Sequence, residues 1–252
     1  NKGISDRFYN TRNFTVDTKI YWNQWKKHNS KTESIEFLGK KTKILILGDS
    51  QLQDLYNIFY FDNELKNYFE FVYIPKNLTK LDFNDLNQNK NLKDSDFVIL
   101  GKRWNSNDLN IVKAIATNLD HKNIFIYSNS NILRSFDYYW SPLNLFVKNN
   151  KRLPDKKELT HLEEKYFNSI NPDSILLSKK IEQISKNLGL NYLNISKFTC
   201  NYTNKRCPIL DQNNKPLRLD DSHLTLAGSE YFSDKLKSEN FFIRLFEKNF
   251  TY

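Results

Sequence analysis

The sequence predicts a three-layer α/β fold with a central, mainly parallel sheet of about five strands. Its apolar runs are only about four to six residues long, and some, such as residues 44–47 (ILIL), are continuous rather than alternating. Runs of this kind are typical of strands that are buried on both faces of a parallel sheet. They alternate along the chain with longer segments of helical periodicity, which is the pattern of a sheet covered by helices.

Five short apolar runs and four longer periodic segments define the predicted elements. The strands span residues 43–47, 71–74, 96–100, 123–127 and 191–195, and the helices span residues 51–65, 108–119, 173–188 and 226–236. Gly189 closes the third helix, as glycine commonly does just past a helix end. Polar or glycine residues follow the first, third and fourth strands, at the edge where ligands of such sheets bind.

Two stretches lack a clear period. Residues 1–40 are polar and aromatic, and we expect a linker or an arm packed on a domain that spans residues 41–252. Residues 128–170 form the longest irregular stretch, and they include Tyr139 and Trp140. A loop of that length in a compact domain is usually functional or has local structure of its own.

The composition limits the class of protein. The apolar runs are far shorter than the roughly 20 residues that span a bilayer. The net charge is +9, but the lysines are spread along the chain without a nucleic-acid-binding motif. We expect a solvated basic surface first, an anionic glycan or membrane surface as partner second, and specific nucleic-acid binding last. Because no Met occurs, we expect a chain that was processed or cut from a larger protein.

Cys200 and Cys207 are the only cysteines, with six residues between them. No further Cys or His lies close enough in sequence to complete a zinc site, and the spacing is not that of a redox motif. A disulfide is the simplest use of the pair and implies an oxidising compartment. Two unpaired thiols are the alternative.

Candidate chemistry begins at Ser50, in the sequence Gly48-Asp49-Ser50 after the first strand. Asp and Ser both cap helices well, so one interpretation is a helix start. The other is a nucleophile, which needs a histidine to remove its proton and a carboxylate to hold the histidine ring. His223 lies in LRLDDSHLTLAG, three residues after Asp220, and a turn can bring that carboxylate beside its ring. The remaining histidines have surface or structural interpretations: His28, His121 and His161.

These motifs resemble the SGNH (GDSL-like) hydrolase and acetyltransferase family, whose fold is SGNH/flavodoxin-like. Residues 207–228 (CPILDQNNKPLRLDDSHLTLAG) and 98–104 (VILGKRW) look most like the C-terminal SGNH domain of membrane acyltransferase family 3 proteins. The resemblance covers about residues 43–236. It implies Ser50 as the nucleophile, His223 as the general base and Asp220 as the residue that orients the base, with Asp221 as the nearest competitor for that last role.

The resemblance also implies an activity and a setting. The activity is O-acetylation of a hydroxyl of a bacterial surface polysaccharide such as lipopolysaccharide, through an acyl-serine intermediate and with no cofactor or metal. The acetyl donor is supplied through a membrane acyltransferase portion to which the domain is fused, the acceptor is a carbohydrate, and no specific nucleic acid takes part. The implied location is the periplasmic or extracytoplasmic face of a bacterial inner membrane.

The chain departs from the broad family pattern at the oxyanion hole. No glycine occurs between Gly48 and Gly101, and Arg103 stands where the family has an asparagine. We expect the Ser50 amide, at a helix amino end, to be one donor. Arg103, Asn105 or a loop amide within residues 75–77 is expected to be the second. A cation at Arg103 is also expected to lower the pKa of His223.

The aromatic candidates and the rival functions stay open at this point. Trp104, Tyr139 and Trp140 are candidate substrate-binding residues, but packing is an equally good or better explanation of each. A carbohydrate O-acetyl esterase would use the same triad. A non-catalytic glycan-binding domain of the same fold would explain the altered oxyanion residues.

Overall fold

The computed structural model describes residues 14–32, 36–121, 123–129, 131–133 and 142–247. Within these ranges five strands form one sheet: β1 Thr42–Gly48, β2 Phe69–Pro75, β3 Phe97–Gly101, β4 Ile124–Tyr127 and β5 Asn191–Leu193. The strand order is β2-β1-β3-β4-β5, and every pair is parallel. The predicted fold class is therefore confirmed, and each predicted strand is present with ends that differ by at most two residues.

Helices cover both faces of this sheet. They are α1 Phe14–Thr32, α2 Ser50–Phe61, α3 Leu65–Tyr68, α4 Phe83–Gln88, α5 Lys90–Asp94, α6 Leu109–Asn118, α7 Pro142–Asn150, α8 Lys156–Asn168, α9 Pro172–Asn187, α10 Ser196–Thr199, α11 Leu226–Ser238 and α12 Phe241–Glu247. Short 3-10 turns span Leu78–Lys80 and Ser106–Asp108. Helices α2, α11 and α12 pack on one face, and α6 and α9 pack on the other.

The continuous apolar run of β1 serves both faces. Ile44 and Ile46 pack towards α2 and α11, whereas Leu45 and Leu47 pack towards α6, and all four are fully buried. Successive strand side chains point to opposite faces, so a strand covered on both sides must be apolar at every position. This burial explains why the run does not alternate.

The carboxyl ends of the strands meet at one edge of the sheet. Gly48 of β1 is in register with Pro75 of β2 and with Gly101 of β3. A Cβ atom on Gly48 would lie 2.0 Å from the Gly101 carbonyl oxygen, and one on Gly101 would lie 2.7 Å from the Tyr127 carbonyl oxygen. Glycine at both positions therefore allows the strand ends and the start of α2 to come together at this edge.

Residues 128–170, which show no clear period in the sequence, contain the helices α7 and α8, so this stretch has local structure of its own. Helix α8 begins with a capping box between Asp155 and Glu158, and it buries only Leu162 and Tyr166. So narrow an apolar face within a charged segment gives a weak periodic signal. Tyr139 and Trp140 lie outside the described residues.

Helix α1 occupies part of the segment in which the sequence shows no clear period. It contacts the rest of the protein through Trp22, Trp25, His28 and Asn29, which recur at helical spacing. Two of these four side chains are polar, which explains why an apolar period is not evident. The division into an arm over residues 1–40 and a domain over residues 41–252 stays a prediction.

The cysteine pair forms the predicted disulfide between Cys200 and Cys207. Both residues are buried in a third apolar cluster, together with α7 and α8. The Cys207 amide donates to the carbonyl of Glu163 on α8, 3.3 Å away. No helix in the described ranges combines the length and the apolar composition needed to cross a membrane.

The loop over residues 216–225 is held against the start of α11. The Thr225 amide donates to the Leu217 carbonyl at 3.1 Å, and the Thr225 hydroxyl accepts from the Gly228 amide at 2.9 Å. A Cβ atom on Gly228 would lie 2.0 Å from the Leu217 carbonyl oxygen. Glycine is thus required for the close approach that fixes this loop, which carries Asp220 and His223.

We expect Gly228→Ala to lower the free energy of unfolding by about 1–3 kcal/mol, because the added methyl group forces the loop away from α11. Within a helix, the same substitution ordinarily stabilises by about 1 kcal/mol. Chemical denaturation of the two proteins measures the difference. The matched control is Gly39→Ala, where the nearest atom is a side-chain oxygen of Glu70 at 3.0 Å and a change within about 0.5 kcal/mol is expected. A stabilised Gly228→Ala protein would show that the loop does not depend on this contact.

Candidate active site

Three side chains form a continuous hydrogen-bonded arrangement at the carboxyl edge of the sheet. The Ser50 Oγ lies 2.7 Å from Nε2 of His223. On the other side of the ring, Nδ1 lies 2.8 Å from Oδ2 and 3.0 Å from Oδ1 of Asp220. A hydroxyl, an imidazole and a carboxylate in this order have the geometry by which a serine is activated as a nucleophile.

The turn before Ser50 is fixed by Asp49. One carboxylate oxygen accepts from the Gln51 amide at 2.9 Å and so caps α2, while the other accepts from the Arg103 amide at 2.8 Å. The Tyr73 hydroxyl contacts the carbonyl oxygens of Gly48 and Asp49 at 3.2 and 3.1 Å. The helix-cap interpretation therefore applies to Asp49, and the Ser50 hydroxyl is left to contact the histidine.

Asp220 is held as an ionised acceptor. Its Oδ1 accepts from the amides of Ser222 and His223, each at 2.8 Å. Burial alone would raise the pKa of Asp220, but the hydrogen bond and charge of His223 and the two amides hold the pKa at about 2. Asp221 turns away instead, and its Oδ2 pairs with the Arg103 guanidinium at 2.9 Å. Asp220 is thus the aspartate of this pair that contacts the imidazole.

The surroundings of His223 favour its charged form. Burial alone would lower the pKa of His223, but the hydrogen bond to Asp220 and the charges of Asp54, Asp220 and Asp221 raise the pKa to about 9. The expectation that Arg103 lowers this pKa is wrong. The Arg103 charge is compensated by Asp221, and carboxylates surround the ring.

Ser50 borders an open cleft of about 750 Å³. Helix α1 forms one side of it through Trp25, Lys26 and Asn29, and the segment after β2, with Asn77, forms another. A cleft of this size is large enough for a small carbohydrate or an acyl donor. The described residues contain no group of three or more His, Cys, Asp or Glu side chains that could hold a metal ion.

The structure does not bring Arg103, Trp104 or Asn105 into the Ser50 cleft; all three line a separate cavity of about 430 Å³. The Asn105 side chain caps a 3-10 turn by accepting from the Asn107 amide at 3.0 Å. Trp104 is buried, and its indole donates to the Tyr127 carbonyl at 2.8 Å. Trp104 therefore braces the interior of the protein, whereas the half-exposed Arg103 side chain pairs with Asp221.

The segment 75–77, the other source proposed for a second oxyanion donor, does share the cleft with Ser50. The Lys76 amide is already used, since it donates to the Gly48 carbonyl at 2.9 Å. Proline has no N–H, so Asn77, which is exposed in the same cleft, is the remaining candidate donor of this segment.

Sequence reasoning missed a layer of residues behind the triad. The side-chain Nε2 of Gln51 donates to the Ser222 carbonyl at 3.3 Å, and the Asp54 Oδ2 accepts from the Leu224 amide at 3.0 Å. The edge of the Trp22 ring faces the His223 ring, with centroids 5.2 Å apart. The sequence did offer a signal for this layer: the predicted helix after Ser50 carries polar residues, among them Gln51 and Asp54, that are buried in the structure.

The sequence matches the family model described as "SGNH domain (fused to AT3 domains)" over residues 21–238. Among curated protein sequences none matches it.

Solved structures share the fold. The periplasmic domain of a lipopolysaccharide acetyltransferase from Salmonella ser. Paratyphi A is similar with a TM-score of 0.58 and 14% identity, over 87% of this chain and 96% of that chain. The acetyl xylan esterase AlAXEase has a TM-score of 0.40 and 14% identity, over 78% of this chain and 98% of that one. An extracellular lipase from Streptomyces rimosus has a TM-score of 0.40 and 12% identity, over 78% and 99%. The first of these similarities supports the α/β fold.

The raised pKa of His223 predicts how the reactivity of Ser50 depends on pH. An imidazole with a pKa of about 9 is mostly protonated at pH 7 and cannot accept the serine proton. The rate of Ser50 labelling by a small fluorophosphonate should therefore rise about tenfold per pH unit up to about pH 8 and level off above about pH 9. Labelling rates measured by mass spectrometry across this range test the expectation. His223→Gln should label slowly and without this pH dependence, and a flat profile in the unsubstituted protein would contradict the assignment.

Proposed function

This chain belongs to the family of SGNH domains that are fused to AT3 domains, and we propose that it is a serine-dependent O-acetyltransferase domain. It moves an acetyl group to a carbohydrate hydroxyl through an acyl-Ser50 intermediate. The observation that carries the proposal is the unbroken arrangement from Ser50 through His223 to Asp220 beside an open cleft.

The first half-reaction loads the serine. Ser50 Oγ attacks the acetyl carbonyl of the donor while Nε2 of His223 takes its proton. Asp220 accepts the Nδ1–H hydrogen bond and stabilises the imidazolium that forms. The Ser50 amide at the start of α2, and Asn77 as the second donor, face the negative charge of the tetrahedral intermediate. The intermediate collapses when His223 returns the proton to the leaving group, which departs and leaves acetyl-Ser50.

The second half-reaction releases the acetyl group. An acceptor hydroxyl gives its proton to the neutral His223 and attacks the acetyl carbonyl, and the collapse of this intermediate restores the Ser50 hydroxyl. A sugar hydroxyl gives an O-acetylated carbohydrate, whereas water gives free acetate. Transfer therefore requires the acceptor to occupy the cleft and to exclude water from the acyl-enzyme.

Family membership supports the proposed partner and location. The AT3 portion to which such domains are fused is the proposed source of the acetyl donor. The disulfide between Cys200 and Cys207 supports an oxidising, extracytoplasmic compartment, and the proposed location is the periplasmic or extracytoplasmic face of a bacterial inner membrane. The proposed acceptor is a surface polysaccharide of the lipopolysaccharide class, which is named for the Salmonella domain of similar fold.

We expect Ser50→Ala and His223→Ala each to reduce turnover of an aryl acetate by about 10⁴-fold or more, because either change removes the nucleophilic route. Asp220→Ala should lose about 10²–10⁴-fold, since the ring is then neither oriented nor stabilised. Steady-state kinetics, with circular dichroism to check the fold, measures these effects. Asp221→Ala is the matched control and should retain more activity than Asp220→Ala. The reverse order would show that the carboxylate role lies with Asp221, and full activity in Ser50→Ala would exclude the mechanism.

Transfer and hydrolysis are separated by the fate of the acetyl group. With an aryl acetate as donor and a carbohydrate acceptor in excess, the protein should form acetylated carbohydrate, and Ser50→Ala should form none. Mass spectrometry of the products, together with an acetate assay, measures the partition. Release of free acetate alone, at a rate that the acceptor does not change, would favour the carbohydrate O-acetyl esterase. Absence of both products and of Ser50 labelling would favour the non-catalytic glycan-binding domain.

A further inference from the structure

We propose that Asp54 is a positioning residue of this active site, which fixes the main chain after His223 and ties it to helix α1 through Trp25. The inference rests on the proposed function, because it assigns a role within that mechanism. Asp54 lies one helical turn after Ser50 on α2, so the two side chains share a helix face. The residue is buried, with 5% of its surface exposed.

Both oxygens of the Asp54 carboxylate have a defined partner. Oδ2 accepts from the Leu224 amide at 3.0 Å, and Oδ1 accepts from the indole N–H of Trp25 at 3.2 Å. A buried carboxylate is costly unless it is hydrogen-bonded, so a pair of donors from two other segments indicates a built contact. Asp54 thereby joins three parts of the chain: α2, the loop over residues 216–225, and α1.

The hydrogen bond between Asp54 and the Leu224 amide helps to set the distance between Ser50 Oγ and His223 Nε2, across which the proton is transferred. Asp220 holds the amide of His223, and Asp54 holds the amide of the next residue, Leu224. The main chain of the base is thus fixed on both sides. Because Asp54 is carried by the same helix as Ser50, this anchor sets the base relative to the nucleophile, where Oγ and Nε2 are 2.7 Å apart. Small errors in this distance reduce the rate strongly.

Helix α1 is held by polar contacts as well as by aromatic ones. Asn29 of α1 and Asn57 of α2 are buried, and their side-chain amide atoms have no hydrogen-bond partner among the described residues. Buried amides of this kind cost about 1–3 kcal/mol each. The Trp25–Asp54 bond is a specific polar contact of this interface, and it lies one helical turn from the Trp22 ring that meets His223.

Asp54 also contributes charge. Its pKa is raised to about 7, mainly by burial and to a smaller extent by the charge of Asp220. The charge of His223 and the hydrogen bonds from Leu224 and Trp25 act in the opposite direction. Once ionised, Asp54 joins Asp220 and Asp221 in raising the pKa of His223. Other titratable or charged groups of the described residues also act here. Tyr127 of β4 interacts with Asp54 and Asp49, Tyr166 of α8 interacts with Asp220 and Asp221, Arg218 interacts with both tyrosines, and Arg103 pairs with Asp221.

The test compares Asp54→Asn with Asp54→Ala. Asparagine keeps an oxygen for the Leu224 amide but loses the charge, so the acid limb of kcat/KM for an aryl acetate should move to lower pH by about one unit. Alanine also loses the acceptor, so kcat should fall by about 10²-fold while KM stays within about twofold. Where the alanine protein fails to fold, the pH limb of Asp54→Asn decides. The proposal would be overturned if the acid limb of Asp54→Asn and the kcat of Asp54→Ala both equalled those of the unsubstituted protein.

Asp62→Asn is the matched control. Asp62 is also buried and follows the last residue of α2, where its carboxylate accepts from the amides of Glu64 and Leu65 at 3.0 Å. Asp62→Asn removes the same charge as Asp54→Asn, so we expect it to lower the stability of the protein but to leave the acid limb of kcat/KM unchanged. An equal shift of the limb in Asp62→Asn would mean that net charge, rather than the Asp54 contact, is responsible.

The link to α1 is tested by a double-mutant cycle. Trp25→Phe keeps the ring but loses the indole N–H, and kcat should fall about threefold in the unsubstituted background and hardly at all in Asp54→Asn. Additive effects would overturn the link. These outcomes are distinct from failure of the proposed function, in which the unsubstituted protein itself shows no Ser50-dependent turnover.

Discussion

The hydrogen bond between Ser50 Oγ and His223 Nε2 joins the nucleophile to its base from a distant part of the chain, and much of the fold serves to keep its length at 2.7 Å. On the serine side, the register of β1 with its neighbours and the Asp49 cap fix the start of α2. On the histidine side, Thr225 secures the loop against α11, and α11 packs on α2. The same helix pair therefore carries both partners, and its packing transmits position to the reacting atoms.

The charges around His223 determine its strength as a base and the fraction of it that is neutral at a given pH. Asp220 contacts the ring and the charge of Asp54 also acts on it, whereas Asp221 is paired with Arg103. A pKa of about 9 makes the imidazole a stronger base once it is neutral, but it leaves only a small neutral fraction at pH 7. The arrangement favours the imidazolium that each half-reaction produces. It thus stabilises the state after proton transfer more than the resting base.

Local signals predicted the strands and the triad residues, and contacts between distant segments explain what was missed. The run 44–47 and the spacing of Asp220 to His223 depend only on neighbours in sequence, so periodicity and turn chemistry reveal them. The side chain of Arg103 could not be placed in this way. Its position in the sequence suggested the oxyanion, but the carboxylate of Asp221, more than a hundred residues later, binds it instead. Asp54 was missed for the same reason, because its donors come from two other segments.

The contacts of helix α1 with the active site indicate that the catalytic domain begins before residue 41. A boundary at residue 40 follows the change in composition, yet Trp25 and Asn29 form a wall of the Ser50 cleft and Trp22 faces the His223 ring. The family match likewise starts at residue 21, within α1. We infer that the segment before the sheet belongs to the active site even if it connects the domain to another part of the protein. A displacement of α1 would reach the main chain beside His223 through Trp25 and Asp54, so the position of this helix bears directly on the position of the base.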